Sequence, residues 1–193
     1  FTAATTISLT TLGTAYTQNF DTLASSGTSF TLPLGWNLSE TGTAADANYR
    51  AGDGASNAGD TYSFGNNNDR AFGTLQSSSV ISTIGVCFTN NTGQPITSMM
   101  VSYTGEQWRL GATGRADRLD FQYSLDATDL TNGSWMNVDA LDFASPVTSG
   151  TTGALDGNNA ANRVVVNANI TGLNIANGAM IFLARKFSDD LAR

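Results

Sequence analysis

The sequence predicts an all-β fold, an antiparallel β-sandwich built as a single domain. Three observations predict it. First, the polar residues are those of strands and turns: 26 Thr, 18 Ser, 18 Asn, 14 Asp and 20 Gly, against 2 Glu and 1 Lys. Thr suits the pleated surface of a strand, and Asp, Asn and Gly suit turns, whereas the polar helix formers are almost missing. Second, short apolar or alternating runs recur between clusters of Gly, Asn, Asp and Ser, in a rhythm of about 8–12 residues that resembles sandwiches and jelly rolls. Third, 193 residues suffice for one large sandwich core, and no linker divides them.

In chain order the expected strands are residues 5–10, 15–20, 36–40, 61–64, 70–75, 80–88, 96–105, 106–110, 117–125, 134–138, 163–170 and 179–184. The run 80–88 puts Val80, Ile84, Val86 and Phe88 on one parity and Ile81, Thr83 and Cys87 on the other. In 117–125, Leu119, Phe121, Tyr123 and Leu125 alternate with Arg118, Asp120, Gln122 and Ser124. That is the pattern of a strand buried on one face and wet on the other. Helix is confined to one short turn within 152–162, where Gly153 and Gly157 argue against more. Residues 1–14 read as a leading strand or arm, and 15–193 as the sandwich itself. The arm has two readings: pairing within its own sheet, or addition to the sheet edge of another copy.

Charge and residue types exclude several functions. Net charge is −7, with 9 basic residues and no basic cluster, so nucleic acid and anionic membrane surfaces are not expected partners. No apolar run is long enough to span a membrane. The chain contains no histidine and one cysteine, Cys87. The usual zinc ligand sets, Ser-His-Asp triads and Cys-His pairs are therefore ruled out, as is an intrachain disulfide. The two glutamates, Glu40 and Glu106, are the remaining pair on which glycosidase chemistry could be built, and no local motif joins them. The chain is read as non-catalytic. Its four Asn-x-Ser/Thr sequons, at Asn37, Asn90, Asn132 and Asn169, are no more than composition alone supplies.

Two constellations are candidate sites. Asp46, Asp53, Asn57, Asp60 and Asp69 lie in the Gly- and Asn-rich stretch 41–69, and calcium takes six to eight oxygens from such side chains. The same residues also serve plain turns, and an EF-hand spacing is absent. Tyr103, Glu106, Trp108 and Arg109 form the second set, with Arg118 nearby. One reading is a sugar site, an aromatic ring stacking on a pyranose while Arg and Glu fix hydroxyls. The other is a structural ion pair of Glu106 with Arg109 or Arg118, with Trp108 partly in the core. Trp36 and Trp135 are further stacking candidates.

Several segments together resemble a known family. They are Gln18-Asn19-Phe20-Asp21-Thr22-Leu23, Leu32-Pro33-Leu34-Gly35-Trp36, Gly59-Asp60-Thr61-Tyr62-Ser63-Phe64-Gly65, Asp69-Arg70-Ala71-Phe72-Gly73, Ile84-Gly85-Val86-Cys87-Phe88, Tyr103-Thr104-Gly105-Glu106-Gln107-Trp108-Arg109 and Arg118-Leu119-Asp120-Phe121-Gln122-Tyr123-Ser124. The chain resembles a jelly-roll-like domain of bacterial secreted, PEP-CTERM-type surface proteins, which also stands ahead of extracellular nuclease, phosphatase and lamin-tail-like modules. The resemblance implies export, a cell-surface or extracellular setting and no defined activity. It also implies a closing C-terminal strand, of which Asp189-Asp190-Leu191-Ala192 reads as a remnant; either the sequence stops short of that strand or departs from the family there, or another copy supplies the strand, and the last option makes this a fibre subunit. The expectation is therefore a fibre, sheath or adhesin subunit whose partners are copies of itself or other surface proteins. The alternatives are a calcium-stabilised module binding polysaccharide, or an accessory domain of a larger secreted hydrolase.

Overall fold

The computed structural model describes residues 5–187. The chain is an all-β sandwich of fifteen strands, with two single 3₁₀ turns at Asp139–Leu141 and Ala160–Asn162 among the described residues. Its central layer is a seven-stranded sheet. The sheet holds β1 (Ile7–Leu9), β3 (Trp36–Thr41), β7 (Ile81–Asn90), β10 (Arg118–Ser124), β11 (Met136–Asn137), β12 (Phe143–Ala144) and β15 (Met180–Phe187). β7 and β15 run antiparallel side by side, and β10 pairs with the other edge of β15. β11 and β12 divide the far edge of β10.

Two units cover the inner face of this sheet. One is a long antiparallel ribbon of β8 (Ile96–Glu106) and β14 (Arg163–Ile175). The other is a four-stranded sheet of β2 (Thr28–Ser29), β4 (Tyr49–Gly52), β5 (Asp60–Phe64) and β6 (Ala71–Leu75). The same face of β7 sends Val86 and Phe88 to the ribbon, where they meet Ile170, Leu173 and Ile175, and Ile84 to the small sheet, where it meets Tyr49 and Phe72. Alternation along one strand thus fills two cores, because successive same-side residues lie about 7 Å apart. A short pair, β9 (Arg109–Leu110) with β13 (Gly153–Ala154), continues beyond the ribbon.

Glu40 ties the central and small sheets together. Its Oε1 accepts the Thr61 amide (2.8 Å), the Thr61 hydroxyl (2.8 Å) and the Ser82 hydroxyl (3.1 Å), while Oε2 accepts the Asp46 amide (3.1 Å). Arg70, buried at 5% exposure, folds the turn after β5 by donating to the Ser63 hydroxyl and to the carbonyls of Ser63, Gly65 and Asn67. Buried charge of this kind needs such complete hydrogen bonding.

The structure changes four expectations. Two strand pairs are parallel, β1 with β7 and β4 with β5, within an otherwise antiparallel arrangement. Residues 15–20 form no strand. They carry side chains that pack one at a time, ending at Phe20, which adopts a left-handed backbone (φ 66°) to lay its ring edge-on to Trp36 at 4.6 Å. The outer face of the central sheet is not wholly wet: the loop 125–135 lies over it, so Cys87, Phe182 and Ser124 are buried there with Ala127. Leu125, assigned by alternation to the core, is 44% exposed because β10 ends one residue earlier. The last described strand, β15, is paired along both edges at the middle of its sheet; Asp189-Asp190-Leu191-Ala192 lies outside the described residues.

Candidate functional site

The expected sugar set does not form a stacking platform. Trp108 is 3% exposed and lies parallel to the Phe64 ring (6.1 Å, 6°), with Gly157 so close that a Cβ there would stand 2.3 Å from the indole nitrogen. Its N–H donates to Glu106 Oε2 at 2.9 Å. Burial raises the Glu106 carboxyl above its ordinary value, and that indole bond partly offsets the rise. Glu106 stands opposite Arg163 across the ribbon, rather than pairing with Arg109 or Arg118 as the sequence suggests. Arg109 instead donates to the carbonyls of Gly54 and Ala55, and Arg118 pairs with Asp120 at 2.6 Å. Tyr103 lies three residues before Glu106 on β8 and packs against the main core. Its hydroxyl donates to the Leu141 carbonyl, and the Arg185 guanidinium sits 3.3 Å over its ring. Burial pushes Arg185 down to about 10. Three of the four residues, Glu106, Trp108 and Arg109, therefore lock the end of β8 to the small sheet, and the burial of Trp108 closes it to a ligand.

Asp46, Asp53, Asp60 and Asp69 of the expected calcium set each have contacts of their own within the protein. Asp46 Oδ1 accepts the Asn48 amide (2.6 Å), and Asp53 Oδ1 accepts the Ala55 amide (3.0 Å). Asp60 pairs with Arg50 at 3.0 Å, its carboxyl raised chiefly by burial and then by nearby Glu40. The Asp69 amide donates to Asn67 Oδ1 at 2.7 Å, and Asn57 lies in the exposed loop between β4 and β5. The bonds accepted by Asp46, Asp53 and Asn67 are turn bonds in which a short side chain captures a backbone amide two residues on. Among the described residues no group of three or more Asp, Glu, Cys or His side chains is gathered to hold a metal.

The feature that the structure brings forward is the arm. β1 and β3 share one edge of β7: β3 covers Ile81–Val86, the Gly35 carbonyl accepts the Cys87 amide at 3.0 Å, and β1 covers Phe88–Asn90. Gly35, with φ 79°, leaves the slot for Ile7; a Cβ there would stand 2.7 Å from Ile7 Cγ1. Ile7 is buried in the main core. Around it, Thr6 and Thr89 share a hydroxyl bond (2.7 Å), Asn91 donates from its side chain to the Ser8 hydroxyl (2.7 Å), and its amide donates to the Leu9 carbonyl (2.8 Å). Burying one Ile is worth about 1.5–3 kcal/mol and each net hydrogen bond about 1 kcal/mol. From residue 10 to 17 every residue is exposed. Tyr16 makes the one stitch of note, edge-on to Phe88 at 5.4 Å and accepting the Trp36 indole N–H at 3.1 Å.

Of the two readings open for the arm, pairing within its own sheet is the one seen for Ile7–Leu9; Phe1–Ala4 lie outside the described residues. The slot itself was hidden in the sequence, since Gly35 and Phe88–Asn90 meet Ile7 only through the register. Compared with known proteins, the chain matches no family model, no curated protein and no solved structure. No helix among the described residues is long and apolar enough to cross a membrane.

Proposed function

We propose that this chain is a non-catalytic structural subunit of an extracellular surface assembly, joined to its neighbours by exchange of the β1 arm. The observation that carries the reading is the arm's attachment: three residues seated in a slot beside Gly35, at the end of an exposed tether. A tether of ten residues, 10–19, spans at most about 33–36 Å when extended, enough to seat Ile7 in the same slot on an adjacent copy. The exchanged contacts are the same as the internal ones, so the cost of exchange lies in order and concentration rather than in lost bonds. Reciprocal exchange closes a dimer. Sequential exchange, each copy giving one arm and receiving one, has no closing point and produces a filament. The resemblance to secreted surface domains and the weakly charged, Thr-rich surface support the setting.

A locked arm tests this reading. Ser8 and Thr89 are direct partners in the β1–β7 register. The double substitution Ser8→Cys, Thr89→Cys, oxidised in dilute solution, fastens each arm to its own body. The native protein is expected to grow in mass with concentration and the oxidised variant to stay monomeric, regaining assembly on reduction. Equal masses for both forms at every concentration would refute arm exchange. Cys87, 0% exposed and with its thiol pushed up to about 11 by burial, stays out of the exchange.

A further inference from the structure

The outer face of the central sheet carries a trough. Asn37, Gly85, Ala184, Gln122 and Asn137 stand in register across β3, β7, β15, β10 and β11. The next row is Ser39, Thr83, Lys186 and Asp120. Gly85 and Ala184 present almost no side chain, so the middle of the face sinks. The loop 125–135 forms one wall, with Leu130 against Gly85 so closely that a Cβ there would stand 2.7 Å from its Cδ2. The result is an open groove of about 240 Å³, lined by Thr83, Gln122, Leu130, Thr131, Trp135 and Lys186.

The lining has two chemistries. Trp135 is half-buried against the Cys87–Phe182 cluster, and its indole N–H donates to the Asn132 carbonyl at 2.8 Å, so it gives the groove apolar ring surface. Leu130 extends that surface. The rest of the lining includes hydroxyls and an amide, those of Thr83, Thr131 and Gln122, the last held by its Nε2 bond to Asn137 Oδ1. In the second row Lys186 stands opposite Asp120, whose carboxylate pairs with Arg118 at 2.6 Å. The wall is ordered before any ligand arrives. The Asp126 carboxylate accepts the Ser134 amide (2.8 Å), Asp129 accepts the Thr131 amide (2.7 Å), and the Thr128 amide donates to Asn132 (2.8 Å). A preformed concave site with an apolar panel and a few placed polar groups is the usual form of a small-molecule site.

We propose that this groove is a saccharide subsite, taking a neutral pyranose unit within an extended polysaccharide. A pyranose has an apolar C–H face that matches Trp135 and Leu130, and a rim of hydroxyls that matches the amide and hydroxyl side. The open form of the groove admits a unit inside a chain. This site is distinct from the Trp108 cluster and does not depend on arm exchange.

The test is an amide NMR titration of the full chain with cellohexaose, maltohexaose, mannohexaose and, as the charged comparison, oligogalacturonate. At least one neutral hexaose is expected to give saturable shifts at Gln122, Thr131 and the Trp135 indole N–H in the millimolar range. Trp135→Phe should keep binding, and Trp135→Ala should weaken it about tenfold. Because Trp135 also packs on the core, Gln122→Ala serves as the second variant; it should keep the native spectrum and weaken binding about fivefold. No shifts with any neutral hexaose, binding of oligogalacturonate alone, or affinities unmoved by both Trp135→Ala and Gln122→Ala would overturn the proposal.

Discussion

Residues 10–19 and residues 125–135 are both irregular, both polar and both laid against β7, yet they are held in opposite ways. The tether touches the body through Tyr16, and its own backbone contributes a long Thr14 to Thr11 bond of 3.4 Å. The loop is stapled at nearly every second residue by Ser124, Asp126, Asp129 and Asn132, each accepting backbone amides. The difference is in side-chain chemistry. Asp, Asn and Ser here reach amides from two residues away, as Asp129 does, to eight, as Asp126 does, and substitute for a missing strand partner. The stretch Thr10-Thr11-Leu12-Gly13-Thr14-Ala15-Tyr16-Thr17 has neither Asp nor Asn, and its residues face water. Irregular chain is therefore rigid or releasable according to whether short acceptors are spaced along it.

The comparison can be broken most strongly at Gly133. It has φ 82°, and a Cβ there would stand 2.6 Å from Ala127 Cα. Gly133→Val is expected to lower unfolding stability by about 3 kcal/mol, from left-handed strain plus the clash, as read by urea denaturation. Val at Gly13 of the tether, also at positive φ (77°) but with open space around it, carries only the strain, about 1 kcal/mol. Equal losses at the two glycines would erase the distinction.

Ile7→Ala probes the arm directly. It should cost about 2 kcal/mol of arm docking. Hydrogen exchange at Ile7–Leu9 should accelerate while the amides of Ala127, Thr131 and Ser134 keep their protection. Acceleration in both regions would mean that arm and loop open together.

Acid gives the smallest and most selective effect. Asp126 is held below the usual carboxylate range mainly by the Ser134 amide, and Asp129 mainly by the Thr131 hydroxyl. For a carboxyl depressed in the folded state, the stabilisation is complete above its unfolded value, about 4, and is lost as pH falls through the lower folded value. The arm is bound by neutral hydroxyl and amide groups. Lowering the pH below about 4 should therefore reduce the loop's protection factors, taken against the intrinsic exchange rate at each pH, and leave those of β1 unchanged.

Much of the fold was legible because it rests on local pattern. The alternation in 80–88 and 117–125 marked the two strands that anchor the core, and Phe88, Val86 and Phe121 are where that alternation put them. β4 went unread because Tyr49-Arg50-Ala51-Gly52 has only one strong strand former and pairs in parallel with β5, a long-range partnership that no turn announces. Trp108 and Glu106 were legible as partners in a cluster. A partly buried Trp108 was legible too, but its nearly complete burial was not, since that depends on Gly157 and Phe64 arriving from distant parts of the chain. The Trp135 groove was hidden for the same reason: its floor is Gly85 beside Ala184, small residues whose meaning appears only in register.

The most direct test of arm exchange mixes two singly substituted variants, Ser8→Cys in one chain and Thr89→Cys in another, each also carrying the buried Cys87, under mild oxidation at high protein concentration. In an exchanged arm Ser8 of one copy lies beside Thr89 of the next, so the account predicts a disulfide-linked pair of unlike chains, with reduced yield on dilution. If the mixture holds no linked unlike chains while the double variant closes readily within one chain, the arm never leaves its own body and the account is wrong.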